Sequence, residues 1–325
     1  GMYYACLGLA FGQTENSRES YELLRRAIKL CREVKNEKFT AYCYGWLTQA
    51  CEELGLLDDA IVYGKKGQAL ARQLVWDPLL FTEVHAWMAV AYFYRGESAE
   101  IEKIANAFLE KGNENSDPGL ISQGYMFMGM MSQAAGDYTR SIKEIEKAIL
   151  LTKDTIVLYH SKLMLGISCL LFGRFQEAED NLNAILLMTQ HIESWVRKPI
   201  SEIFLNAALA ARGDLSRSIK NLHRLQSHFL ENGQKVSFVF GEYILGKIYF
   251  QMIQNKAPKD FRVITKNIGF LIKTIPFAAK KAEYHYQSAI QTAEETGAKG
   301  VLGQSCLDLG LLYKIKKRND EARKY

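Results

Sequence analysis

Five glycines, Gly55, Gly96, Gly136, Gly173 and Gly213, recur at separations of 41, 40, 37 and 40 residues. Each closes an apolar stretch of helical spacing and opens a polar turn into a second such stretch. A unit of this size cannot bury its own apolar face, so a chain built this way is confined to a stacked array. A second glycine precedes the turn by seven residues at Gly129 and Gly166, and Gly8, Gly246 and Gly310 fill the same slot elsewhere. These two slots take ten of the 24 glycines, and the chain has only five prolines. The glycine content is therefore register rather than loop, and long helices are expected.

Two units show the pattern directly. Tyr125 to Leu151 reads YMFMGMMSQAAGDYTRSIKEIEKAILL, and Lys162 to Met188 reads KLMLGISCLLFGRFQEAEDNLNAILLM. Small residues let the two helices of a unit cross closely, and large apolar residues fill the groove to the next unit. The turn glycine can take the left-handed cap that ends the first helix. This pattern resembles the tetratricopeptide repeat. The slots are held by Tyr125, Met128, Gly129, Gly136, Tyr138, Ser141, Ile145, Ala148 and Ile149, then by Leu165, Gly166, Gly173, Phe175, Ala178, Leu182, Ile185 and Leu186. The resemblance implies an all-α fold, a right-handed α–α superhelix of helical hairpins. The departure is length, since the family's usual repeat of 34 residues has become one of about 40.

Carrying the register along gives one solenoid over residues 1–325 with about eight units, beginning near Gly1, Ala41, Thr82, Ser122, Tyr159, Pro199, Val239 and Gly303. The seventh is interrupted by an insertion over 255–276, after which its second helix is expected to resume near Phe277. The eighth stops inside its second helix at Tyr325, so the chain is expected to be a fragment of something longer. The uncapped last unit leaves an apolar face that could support a homodimer.

The segment from Asn267 to Tyr325 carries the strings GFLIKTIPFA, GAKG and LGQSCLDLGLLYK. It resembles the helical-repeat tail of bacterial signalling proteins that join a class III adenylate or guanylate cyclase, an AAA-type ATPase and tetratricopeptide repeats. The resemblance is close over roughly sixty residues and architectural elsewhere. It implies a regulatory region whose catalytic domains would lie upstream.

The residues themselves offer no catalytic constellation. The phosphate-loop pattern fails at Gly64-Lys65-Lys66, and neither GxGxxG after a strand, HExxH nor paired CxxC occurs. No cofactor and no metal is expected, and the chain is read as non-enzymatic. Six scattered cysteines without a secretion signal read as free thiols in the cytoplasm. A net charge of +5 is too weak to argue for nucleic acid. The longest apolar run, Leu163 to Phe172, is about half of a membrane span.

If the fold is of this type, first-helix positions 2, 5, 9 and 12 line the concave groove. That selects Tyr42, Gln49, Glu52, Phe93, Gln123, Met126, Met130, Gln133, His160, Tyr243 and Lys247 as partner-binding candidates. Either the groove takes a peptide or helix through adaptable Met and aromatic contacts, or the inner helices pack on one another. Positions 5 and 9 never supply the Lys and Asn pair that binds chaperone tails. The insertion is a second candidate: from Asn255 to Lys281 it holds seven cations and a single anion, Asp260, interleaved with apolar residues. Lys259, Arg262 and Lys266 are its candidate contacts for an acidic partner or an anionic surface. The function expected is a protein or peptide scaffold of a cyclase–ATPase, whose partners include the upstream domains of the same chain. The alternatives are a free-standing adaptor and a small-molecule sensor.

Overall fold

The computed structural model describes residues 1–13, 16–190, 198–254 and 261–325, with the side chains of 13 and 261–266 excepted. Sixteen helices are found among the described residues, and no strand. They alternate as hairpins: α1 (Met2–Gln13) with α2 (Ser17–Glu33), α3 (Glu37–Glu53) with α4 (Leu57–Ala71), α5 (Pro78–Arg95) with α6 (Ser98–Asn115), and α7 (Pro118–Ala134) with α8 (Tyr138–Leu151). Then follow α9 (Thr155–Phe172) with α10 (Phe175–Met188), α11 (Lys198–Ala211) with α12 (Leu215–Asn232), α13 (Lys235–Ile253) with α14 (Phe261–Thr296), and α15 (Lys299–Ile315) with the short α16 (Asn319–Ala322). The array is the right-handed α–α superhelix of roughly 40-residue hairpins that the glycine period implies.

Local chemistry sets the helix ends. Asp77 and Asp117 each accept two backbone N–H groups of the following turn, with Pro78 and Pro118 at the first helical position. At the other end of α5, Gly96 sits at φ 72°, the left-handed cap that terminates the helix.

Within a hairpin, the glycine of the first helix receives the residue sixteen places on. A Cβ on Gly8 would lie 2.8 Å from Leu24, and one on Gly166 would lie 2.7 Å from Leu182; Gly129 faces Ile145 in the same way. In the second hairpin a glycine of the second helix, Gly64, stands 16 residues after Thr48 and makes room for Met88 of the next unit. Replacing Gly166 with valine is therefore expected to cost about 1–3 kcal/mol through overpacking. Gly269 has open space around it, so Gly269→Ala should instead stabilise α14 by up to about 1 kcal/mol. Urea titration of both variants reads the contrast.

The seventh hairpin keeps this register across its insertion. Gly246 meets Tyr286, forty residues on, so the inserted chain lengthens the unit by 24 residues without displacing the packed pair. The expected restart at Phe277 is replaced by one continuous helix, α14, that runs through Pro276. Proline removes one helical N–H, and the carbonyl it strands belongs to Ile272. Ile272, Ile275, Pro276 and Phe277 are all exposed, so water reaches that turn.

The hairpins form two layers. First helices touch first helices of the next unit (α3 with α5, α5 with α7, α7 with α9, α9 with α11, α11 with α13), which makes them the inner layer. The superhelix then closes on itself. Helix α3 meets α13 and α5 meets α15, five units apart. Tyr94 packs on Phe240 with ring centroids 5.5 Å apart, and a Cβ on Gly96 would lie 3.7 Å from the Gly300 nitrogen. One buried cluster accordingly joins Cys43, Leu47, Met88 and Tyr92 to Val236, Val239, Ala293, Ala298 and Val301.

Helix α9 extends the apolar run of the sequence to 18 residues, long and apolar enough to cross a membrane by length and composition alone. Here it is the inner helix of the fifth hairpin, with Tyr159, Ser161, Leu165, Gly166 and Cys169 buried among its neighbours. All six cysteines are free thiols. Burial pushes the Cys43 thiol up to about 12 and the Cys169 thiol up to about 11, so both are inert at neutral pH.

Candidate functional site

The inner layer separates the eleven groove candidates into two groups. Gln49, Glu52, Gln123, Met126, Met130 and Gln133 are buried, because neighbouring first helices press together too tightly to leave an open trough at these positions. Met126 and Met130 belong to the core cluster. Gln133 accepts from Ser168 at 2.8 Å, and Ser168 lies 2.8 Å from Ser141, a buried polar chain across two units. Gln49 donates to Glu53 at 2.9 Å, and Ser17 binds the other oxygen of that carboxylate at 2.5 Å. These polar side chains satisfy one another and present no surface to a ligand.

Tyr42, Phe93, His160, Tyr243 and Lys247 stay half-exposed. Tyr42 donates to Asp77 at 3.0 Å, and Lys38 reaches the same oxygen at 2.8 Å. Tyr243 and Lys247 converge on Asp308 of α15, at 3.2 and 2.8 Å. His160 packs edge-on to Trp87 with ring centroids 5.9 Å apart, joining α9 to α5 two units away. Phe93 lies beside Tyr94 at the closure with α13. The inner face that remains accessible is thus a strip of aromatic and charged groups rather than a wide groove.

Glu83, which stands at groove position 2 of the third unit, and two tryptophans outside the groove positions, Trp46 and Trp87, sit in the same strip. Trp46 packs on Tyr42 at 5.6 Å, the Glu83 carboxylate accepts from Trp87 Nε1 at 3.4 Å, and Trp46 favours the ionised form of that carboxylate. Both tryptophans fall at repeat position 6, one turn beyond position 2. The recurrence of tryptophan at one slot of two successive units was the available signal.

Lys259 lies outside the described residues, as do the side chains of Arg262 and Lys266. Further along α14, Ile268, Ile272, Lys273, Ile275, Phe277, Lys280 and Lys281 are exposed. No group of three or more metal-ligating side chains occurs among the described residues.

The fold and this strip define a helical-hairpin solenoid of the tetratricopeptide type. No protein-family model matches the sequence, and no curated protein does. Solved structures share the architecture. A Rap protein complexed with competence and sporulation factor superposes with a TM-score of 0.54 at 12% identity, over 94% of this chain and 87% of that one. A monomeric mutant of IFIT1 with m7Gppp-AAAA superposes with a TM-score of 0.56 at 15% identity, over 95% of this chain and 64% of that one. A signal-transduction ATPase with a tetratricopeptide repeat sensor from Pyrococcus horikoshii gives 0.44 at 17% identity, over 88% and 42%.

Proposed function

We propose that the chain is a non-catalytic scaffold for protein or peptide partners, the regulatory region of a cytoplasmic multidomain nucleotide cyclase–ATPase. The observation that carries the scaffold reading is the half-exposed strip of Tyr42, Phe93, His160, Tyr243 and Lys247 on an otherwise closed inner layer. A strip of this kind suits an extended chain contacted at intervals along successive units. The Rap structure, of similar fold, holds a bound factor, which supports the same use here. The attachment to a cyclase and an ATPase rests on the sequence resemblance of Asn267 to Tyr325. The basic insertion of the sequence, with Lys259, Arg262 and Lys266, is the second contact of this reading, for an acidic segment of the upstream domains.

Two measurements test it. Against a displayed peptide library and the polypeptide encoded in frame upstream, the chain should select binders. Tyr42→Ser with Phe93→Ser should weaken capture of inner-face binders about tenfold, the loss of one or two aromatic contacts. Reversal of Lys259, Arg262 and Lys266 to Glu should weaken capture of acidic ones without a change in helicity by circular dichroism. A chain that selects nothing, or variants that capture as well as the parent, would sink the scaffold reading. An upstream frame without cyclase or ATPase would leave a free-standing adaptor.

A further inference from the structure

The accessible strip contains one carboxylate whose partners are all neutral. At Gly45 the α3 helix touches the α5 backbone so closely that a Cβ would lie 2.7 Å from the Glu83 carbonyl oxygen. That approach brings Trp46 of α3 to the carboxylate that Trp87, four residues on along α5, already meets with its indole N–H at 3.4 Å, and Trp46 favours the ionised form of the same group. Indole N–H groups are neutral donors. They satisfy the oxygens without neutralising the charge.

Three other acids of the inner face are matched differently. Asp77 has Lys38 and Tyr42, and Asp308 has Lys247 and Tyr243. Glu53 has Ser17 and Gln49 and is buried away from any ligand. Glu83, by contrast, is half-exposed, and no Lys, Arg or His forms an ion pair with it among the described residues. Burial pushes its carboxyl above the ordinary range, so the ionised form is held at a cost that a cation would relieve. Two indoles and the Tyr42 ring beside it offer π faces, which attract organic cations best where water is partly excluded.

We propose that Glu83, Trp46 and Trp87 form a receptor for an organic cation, the ammonium or guanidinium group of a basic side chain on a bound peptide. The proposal rests on the scaffold reading of the inner face and adds the chemistry of what that face selects. Glu83 supplies the charge, and the indoles hold its carboxylate in place and shield the contact from water.

Isothermal titration of the whole chain with Nα-acetyl-arginine methylamide, the lysine analogue and the neutral norleucine analogue tests it. The arginine or lysine probe should bind saturably and the norleucine probe should not. The ratio of the two cations separates guanidinium from ammonium recognition. Glu83→Gln keeps an acceptor for the indoles but removes the charge, and it should weaken the cation about tenfold. Its thermal midpoint should stay level or rise, because an amide is easier to bury than a carboxylate. A merely structural carboxylate predicts a lowered midpoint and no probe binding. Equal binding by norleucine, unchanged binding by Glu83→Gln, or no saturable binding of either cation overturns the proposal. If neutral peptides are captured through Tyr42 and Phe93 while both cations fail, only the cation site falls. If the cations bind through Glu83 while library capture fails, the scaffold reading falls instead.

Discussion

Replacing Glu242 with alanine is expected to lower the unfolding free energy by about 3–5 kcal/mol, the range for breaking a buried ionisable pair. Glu242 on α13 is almost fully buried, as is His285 on α14. His285 Nδ1 lies 3.0 Å from one carboxylate oxygen, and Gln226 of α12 donates to the other at 2.7 Å. The His285 ring stacks on Tyr249 with centroids 5.6 Å apart, and the His223 ring lies 5.6 Å from it. Three helices are therefore tied through one carboxylate. Alanine would leave the Gln226 amide and the imidazole buried without it. The space is also tight, since a Cβ on the adjacent Gly241 would strike the Gln226 amide. Guanidinium chloride titration measures the loss. Replacing Glu242 and His285 together by leucines should recover part of it, because the imidazole goes with the carboxylate and the Gln226 amide keeps its bond to the Phe238 carbonyl at 3.0 Å. A loss below about 1 kcal/mol for the alanine variant would show that the carboxylate contributes little.

Acidification should destabilise the protein through His85. Burial against Phe81 and Phe108, aided by the nearby Arg72 charge, lowers its imidazole from an ordinary 6.5 to about 4, although its bond to the Phe81 carbonyl pulls the other way. The folded chain thus takes up this proton less readily than the unfolded chain. Stability linked to His85 is fully present above about pH 6.5 and is lost as pH falls from there towards 4. A shift of this size corresponds to roughly 3 kcal/mol as an upper value, since the ring is only partly withdrawn from water. Urea midpoints at pH 7 and pH 4.5 should differ by less in His85→Phe than in the parent. Equal pH dependence in both would assign the acid response to other groups.

The hairpin order was legible from glycine alone because each glycine answers a local demand. Gly96 and Gly136 take the left-handed caps, and Gly129 and Gly166 admit the residue sixteen places on, so both requirements leave a fixed spacing in the chain. The course of α14 was less legible. Pro276 reads as a break, but proline interrupts a helix only where the stranded carbonyl lacks another partner, and this turn faces solvent. The burial of Gln49, Gln123 and Gln133 was legible only as the alternative in which the inner helices pack on one another. It depends on the rotation between successive units, a small quantity spread over many contacts that leaves no motif. The Trp46, Glu83 and Trp87 cluster was legible in part: Glu83 and Trp87 are four residues apart on one helix, whereas Trp46 joins them only because Gly45 lets α3 approach α5.

The closure of α3 on α13 and of α5 on α15 changes how the chain should gain and lose its structure. An open array behaves as a row of weakly coupled elements and can melt from its ends. Here the second and third units hold the seventh and eighth in place, so opening the last two units removes contacts from the second and third. Unfolding should approach a single cooperative transition despite the repeats. Folding should be slow for an all-helical protein, because the closing contacts, Tyr94 with Phe240 among them, join residues 146 or more apart in the chain before they contribute.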